Sequence, residues 1–126
     1  GGPLDGVSLL NYLSSHDDGA PFDQARERTY EAGTKLLLSP GAVQIYYGDE
    51  TGRDLNAKGA EGDAKLRSLM NWDQLESDEE TQKLLAHWQK LGQFRHAHRS
   101  VGAGKHKQLQ ASPYIFTRSL AANLSI

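Results

Sequence analysis

The sequence predicts an α/β chain with a parallel sheet joined by helical crossovers and an antiparallel hairpin at its end. Three observations lead there. Two short apolar runs, residues 8–15 and 42–47, bracket one amphipathic stretch, and this β–α–β order favours parallel pairing. A second amphipathic helix follows a long irregular segment. Two β-rich segments flanking Ser112-Pro113 close the chain as antiparallel strands. Two parallel strands cannot bury both their faces alone, so the pattern reads as part of something larger.

Each element has a local reason. The opening Gly1-Gly2-Pro3 reads as loop, since Gly and Pro interrupt regular structure. Ser8-Leu9-Leu10-Asn11-Tyr12-Leu13-Ser14-Ser15 suits a buried strand, stopped by His16-Asp17-Asp18-Gly19. A helix is expected over residues 23–38, with Asp23 as N-cap, Glu31 and Lys35 paired at i,i+4, and Ser39-Pro40-Gly41 as its stop. Ala42-Val43-Gln44-Ile45-Tyr46-Tyr47 is the second strand, closed by Gly48-Asp49-Glu50. Residues 51–65 are rich in Gly, Asp and Lys without periodicity, which predicts a functional or mobile loop. Ser77-Asp78-Glu79-Glu80 has capping-box spacing with Ser77 as N-cap. The helix it opens places Leu84, Leu85, Trp88 and Leu91 on one face, with Phe94 at its border, and runs to about Arg99. Residues 107–111 and 114–119 are the final two strands.

Composition narrows the class. At 126 residues and 13.9 kDa the chain suits one compact domain, and a net charge of −2 with a pI near 6.2 argues against disorder. The same balance leaves no basic stripe for nucleic acid. No apolar run approaches the roughly 20 residues of a membrane helix, so no membrane partner is expected. Without cysteine, disulfide scaffolds, thiolate zinc sites and a cysteine nucleophile are excluded, and the compartment is left open.

Charged residues follow both apolar runs: His16 and Asp17 after the first, Asp49 and Glu50 after the second. In parallel α/β folds ligands gather at the carboxyl ends of strands, so these groups would share one cleft. The competing reading makes them turn formers and caps.

Tyr12-Leu13-Ser14-Ser15-His16-Asp17 resembles the seventh barrel strand of the alpha-amylase family of glycoside hydrolases. Gly41-Ala42-Val43-Gln44-Ile45-Tyr46-Tyr47-Gly48-Asp49-Glu50 resembles the eighth, and the helix and Ser-Pro-Gly between them fit the family's spacing. Arg67-Ser68-Leu69-Met70-Asn71-Trp72-Asp73 is similar to the post-barrel loop, and the helix around Trp88-Gln89-Lys90-Leu91-Gly92-Gln93-Phe94-Arg95 to the last barrel helix. The sequence departs at Ser15, where the family often has Asn, and at Val43, where many members have Pro.

The resemblance implies a partial (β/α)8 TIM barrel, strands seven and eight with their helices, over residues 1–102. Residues 103–126 would begin an antiparallel β domain. It implies cleavage of α-1,4-glucosidic bonds in starch-like glucans by a retaining mechanism. Asp17 would be the carboxylate that holds sugar hydroxyls in the distorted, oxocarbenium-like transition state. His16 would be a neighbouring donor to the same ring, against the plainer reading of a histidine satisfied by a backbone carbonyl. Arg67 would line the cleft, or else pair with Asp63 or Asp73. The nucleophile and general acid would lie on strands four and five, outside this chain, leaving the isolated chain inert. The implied partner is an α-glucan or maltooligosaccharide. No cofactor is implied in this segment, and calcium only in the parent protein. The uncovered strands would drive self-association.

Other signals are weaker. His96 and His98 lie two apart on a helix and so face different ways, which suits solvated helix-end residues. Gly102-Ala103-Gly104-Lys105 lacks the spacing of a phosphate loop and reads as a linker. Asn123-Leu124-Ser125 matches a glycosylation acceptor without a secretion signal. Trp72 and Trp88 could stack on sugars, with Trp88 better suited to the core. Two competing functions follow: a non-catalytic sugar- or partner-binding relative, and a metal-dependent phosphohydrolase using His16-Asp17.

Overall fold

The computed structural model describes residues 7–121 and 123–126, so the opening glycines lie outside the described residues. Two sheets form. In the first, β1 (Leu10–Asn11) pairs in parallel with β2 (Ala42–Val43), with Leu10 opposite Ala42 and Asn11 opposite Val43. Helix α1 (Thr29–Leu37) makes the crossover between them. After β2 come a 3-10 turn at Asp49–Thr51, a second at Gly62–Leu66 and helix α2 (Trp72–Ser77). The long helix α3 (Glu79–Ala97) leads into the short α4 (Ser100–Ala103). The second sheet is antiparallel, β3 (Lys105–Gln110), β4 (Ile115–Leu120) and β5 (Asn123–Ser125), in that order.

The expected β–α–β unit is therefore present, with shorter strands. Each parallel strand has only one neighbour among the described residues, so ladder bonds form over two residue pairs and stop. Leu9, Leu10, Tyr12, Ile45 and Tyr47 remain exposed, the apolar surface that a wider sheet would cover.

Three boundaries correct the sequence reading. The first helix begins at Thr29, not Asp23, because Asp23 and Arg26 both adopt positive φ, a conformation no helix continues through. Asp23 instead accepts the amides of Glu27 and Arg28 and shapes a turn. Asp78, not Ser77, caps α3: its carboxylate accepts both the amide (3.1 Å) and the hydroxyl (2.6 Å) of Thr81. Those bonds hold Asp78 below the usual carboxylate range. Ser77 ends α2 and donates to the Asp73 carbonyl. The loop over 51–65 is broken by the two 3-10 turns, and β3 starts at Lys105 where a linker was expected.

The core lies between α1 and α3. Leu13, Ala32, Leu36, Leu37, Leu84 and Trp88 are buried together, with Val43 and Leu91 packed against them. Trp88 thus belongs to the core, as its helical stripe predicts. Its indole Nε1 donates to the Thr29 carbonyl at 3.2 Å. Arg95, about two turns further along the same face of α3, donates to the carbonyls of Leu37 (3.0 Å), Ser39 (2.8 Å) and Gly41, closing the C-terminus of α1 where carbonyls lack helical partners. The exposed side of α1 carries Glu31 between Arg28 and Lys35, and hydrogen bonds from Arg28 first, then Lys35, lower its pKa to about 2. The second sheet leans on α4 through buried Arg118, which donates to the Val101 carbonyl at 2.6 Å, and through the Ser100 and Ser125 hydroxyls, 2.7 Å apart.

Helices α1 and α3 approach closely at Gly33. A Cβ there would lie 2.5 Å from the Trp88 ring, well inside contact distance. Gly33→Ala should destabilise the protein by about 1–3 kcal/mol through overpacking, although alanine is the better helix former. Urea denaturation measures this, and unchanged or raised stability would contradict the close crossing.

Candidate functional site

Beyond β1 the chain runs inward through Leu13, Ser14 and Ser15, all buried, and emerges at His16 and Asp17. The Ser15 hydroxyl donates to Asp17 Oδ1 at 3.0 Å and accepts the Asp17 amide at 3.4 Å. Ser15 thereby orients the carboxylate, so the position where the sequence departs from the family pattern still carries a polar contact to Asp17. The Asp17 side chain is 60% exposed and that of His16 67%, with His16 Nε2 3.6 Å from Asp17 Oδ2. The His16 ring therefore faces a carboxylate, not a backbone carbonyl. Both side chains are open to a ligand.

Arg67 joins this pair from the far side of the sequence. Its Nε donates to the His16 carbonyl at 3.1 Å, a contact spanning 51 positions, in place of the expected ion pair with Asp63 or Asp73. The three residues singled out by sequence thus lie together. Beside them a cavity of about 250 Å³ opens between Asp18, Gly19 and Gln24 on one wall and Asp63, Lys65 and Leu66 on the other.

Asp49 and Glu50 do not share that opening, which corrects the expected common cleft. Asp49 is fully buried and accepts Ser14 Oγ at 2.6 Å, Arg26 Nη2 at 2.9 Å and the Tyr46 amide at 3.3 Å. It ties the ends of both parallel strands together. Glu50 turns back to accept the Gly48 amide at 3.1 Å. Ser15, Arg26 and Arg53 escaped sequence reasoning. Arg26 sits in what reads as the solvated side of a helix, and Ser15 reads as the end of an apolar run. A lone arginine shortly after Tyr46-Tyr47 was the one available hint for Arg53.

Trp72 is exposed at the start of α2. His96 lies in the last turn of α3, and His98, its C-cap, stacks on Phe94, so neither forms a shared metal site. Among the described residues no three His, Asp or Glu side chains converge on one point. The donor set here fits neither calcium nor the further ligands that a His-Asp phosphohydrolase needs.

No family model matches this sequence. Over 106 residues, 84% of this chain, it is 43% identical to the periplasmic alpha-amylase of Escherichia coli K12. The chain is homologous to one stretch of alpha-amylase family enzymes. It is also 31% identical, over 82% of its length, to a cyclomaltodextrinase from a Bacillus species. The chain spans 15% and 18% of the length of these two curated relatives. Within the family's solved structures, the acarbose-soaked debranching enzyme of Nostoc punctiforme superimposes with a TM-score of 0.66 at 25% identity, covering 93% of this chain and 23% of that one.

The buried tie at Asp49 is the part of this geometry most exposed to mutation. Asp49→Ala would leave the Arg26 guanidinium without its carboxylate, its side chain only 10% exposed. A loss of about 3–5 kcal/mol is expected, as for other broken buried pairs. Chemical denaturation reads it directly, and a change below 1 kcal/mol, about what an exposed ion pair contributes, would show that the tie is dispensable.

Proposed function

We propose that this chain supplies strands seven and eight of a (β/α)8 barrel and the first strands of the following β domain, in a retaining hydrolase of α-1,4-linked glucans. In this reading β1 and β2 are the two barrel strands and the exposed apolar residues on them face the rest of the barrel. The single observation that carries the reading is the placement of Asp17. It stands at the carboxyl end of β1, exposed, oriented by Ser15, and flanked by His16 and Arg67. That is where barrel enzymes gather their reacting groups.

The division of labour follows from these contacts. The Asp17 carboxylate accepts hydrogen bonds from two sugar hydroxyls, bonds that tighten as the ring flattens toward the oxocarbenium-like transition state. His16 donates to the same ring. Arg67 holds the His16 backbone through Nε. Nucleophile and general acid come from strands four and five of the complete protein, so the 126-residue chain alone is inert and its uncovered strands favour self-association. The substrate class is α-glucan or maltooligosaccharide, in keeping with acarbose in the Nostoc enzyme. Calcium, where the complete protein uses it, binds outside this segment.

Two measurements test this. An immunoblot of the source cells against this segment should show a band several times heavier than 13.9 kDa; a band at that mass would favour a binding protein. In the full-length product, Asp17→Asn should lower kcat/KM for maltooligosaccharide cleavage by about a hundredfold or more, since such hydroxyl contacts are worth several kcal/mol. Activity equal to the parent would remove Asp17 from the mechanism.

A further inference from the structure

We infer that Arg53 is a positioning residue for His16 and Asp17, acting through Arg67. The inference rests on the proposed role of Asp17 and extends it to a side chain that no sugar can touch.

Arg53 is completely buried and makes no ion pair with a carboxylate among the described residues. Its guanidinium instead serves backbone oxygens and the Ser68 hydroxyl, while Nη2 is buried without a hydrogen-bond partner. Nε donates to the Tyr47 carbonyl at 2.7 Å, and Nη1 donates to the carbonyls of Leu66 and Ser68, each at 3.2 Å. Those two carbonyls bracket Arg67. Both are bound a second time from the end of β2: Tyr46 Oη donates to Leu66 at 3.2 Å and Tyr47 Oη to Ser68 at 2.9 Å. Burial, and then the neighbouring Tyr47 hydroxyl, raise the Tyr46 pKa. The same two rings flank the cation, with the guanidinium carbon 3.7 Å from the Tyr47 centroid and 5.1 Å from that of Tyr46.

The segment bearing Arg67 is therefore pinned on both sides by one planar group and two hydroxyls, and Arg67 in turn fixes the His16 carbonyl. Gly48 makes the arrangement possible: its φ is +86°, and a Cβ there would lie 2.4 Å from Arg53 Cβ. Lysine keeps only part of this set, because one ammonium would have to replace both Nε, on the Tyr47 carbonyl, and Nη1, on the Leu66 and Ser68 carbonyls. The purpose of fixing a residue two contacts away from the sugar is geometric, since small misplacement of a binding group costs rate steeply.

A double-mutant cycle in the full-length protein tests this against simple loss of stability. Arg67→Ala should lower kcat/KM for maltooligosaccharide about tenfold or more, and Arg53→Lys by a similar factor. If Arg53 acts through Arg67, the double variant should match Arg67→Ala within about twofold. Losses that multiply, or Arg53→Lys with a lowered Tm and intact kcat/KM, would overturn the inference. Should Arg53→Lys fail to fold, Tyr46→Phe/Tyr47→Phe removes the two hydroxyl anchors at the same carbonyls and enters the same cycle under the same criteria. Asp17→Asn in the parallel assay separates the two ideas. Parental activity there overturns the site and this inference together, whereas an inactive Asp17→Asn with multiplying arginine losses overturns only the role of Arg53.

Discussion

A buried carboxylate organises this molecule. Asp49 collects a hydroxyl from the end of β1, an amide from the end of β2 and a guanidinium from the loop between them. Taking a carboxylate and an arginine out of water is costly, and their attraction compensates only when the remaining lone pairs are also filled. Here both oxygens are bonded, and from three separate stretches of chain. Arg26 then passes the connection on, donating Nε to the Arg53 carbonyl at 2.8 Å. The polar interior runs without interruption from Ser14 to the segment carrying Arg67. A network of this kind contributes less to net stability than to the selection of one arrangement, because every alternative leaves a buried charge unanswered.

The apolar core does the complementary work. Helices α1 and α3 meet through Leu36, Leu37, Leu84 and Trp88, and Leu13 and Val43 join them from the strands. That contact fixes where β1 and β2 lie but covers only part of their surface. A parallel pair needs cover on both faces, and the exposed Leu9, Leu10, Ile45 and Tyr47 show which surface is without it. The short ladders are a consequence of the same deficit. Strand length is set by the neighbour as much as by the residues, since pairing bonds need a second chain to receive them.

This explains what sequence could and could not reveal. The β–α–β order, the helical stripe with Trp88 and the antiparallel hairpin are written in local periodicity, and the structure has all three. The start of α1 is not. Residues 23–28 have helical composition, yet Arg26 takes φ 57° so that its side chain reaches Asp49, and the tertiary contact overrides propensity. The cap of α3 failed for a smaller reason. Ser77 and Asp78 are adjacent and both are good caps, and only the position of Thr81, which offers amide and hydroxyl together, favours the carboxylate. Of the candidate site, Asp17, His16 and Arg67 were singled out by ordered motifs, and the structure brings them together. Arg26 and Arg53 were not, because their contacts reach residues up to 27 positions distant and follow no local pattern, and Ser15 was noted only as a departure from the family.

The contrast between Asp17 and Asp49 carries the argument one step further. Both follow a parallel strand, and position alone assigns them to the same cleft. Their fates diverge because of the cation available to each. Asp49 meets Arg26 inside the fold and is consumed by it, with no exposed surface left for a ligand. Asp17 has only a serine hydroxyl and an exposed imidazole nearby, so its second oxygen remains open to solvent. Arg67, the cation that could have neutralised it, donates instead to the His16 backbone. Asp17 thus stays exposed while the arginine bound to its neighbour His16 is engaged by a backbone carbonyl. On the function proposed above, that exposure leaves Asp17 free to accept hydroxyl donors from a sugar. The end of a strand supplies the location, and the placement of the arginines decides which carboxylate is buried in the fold and which stays exposed.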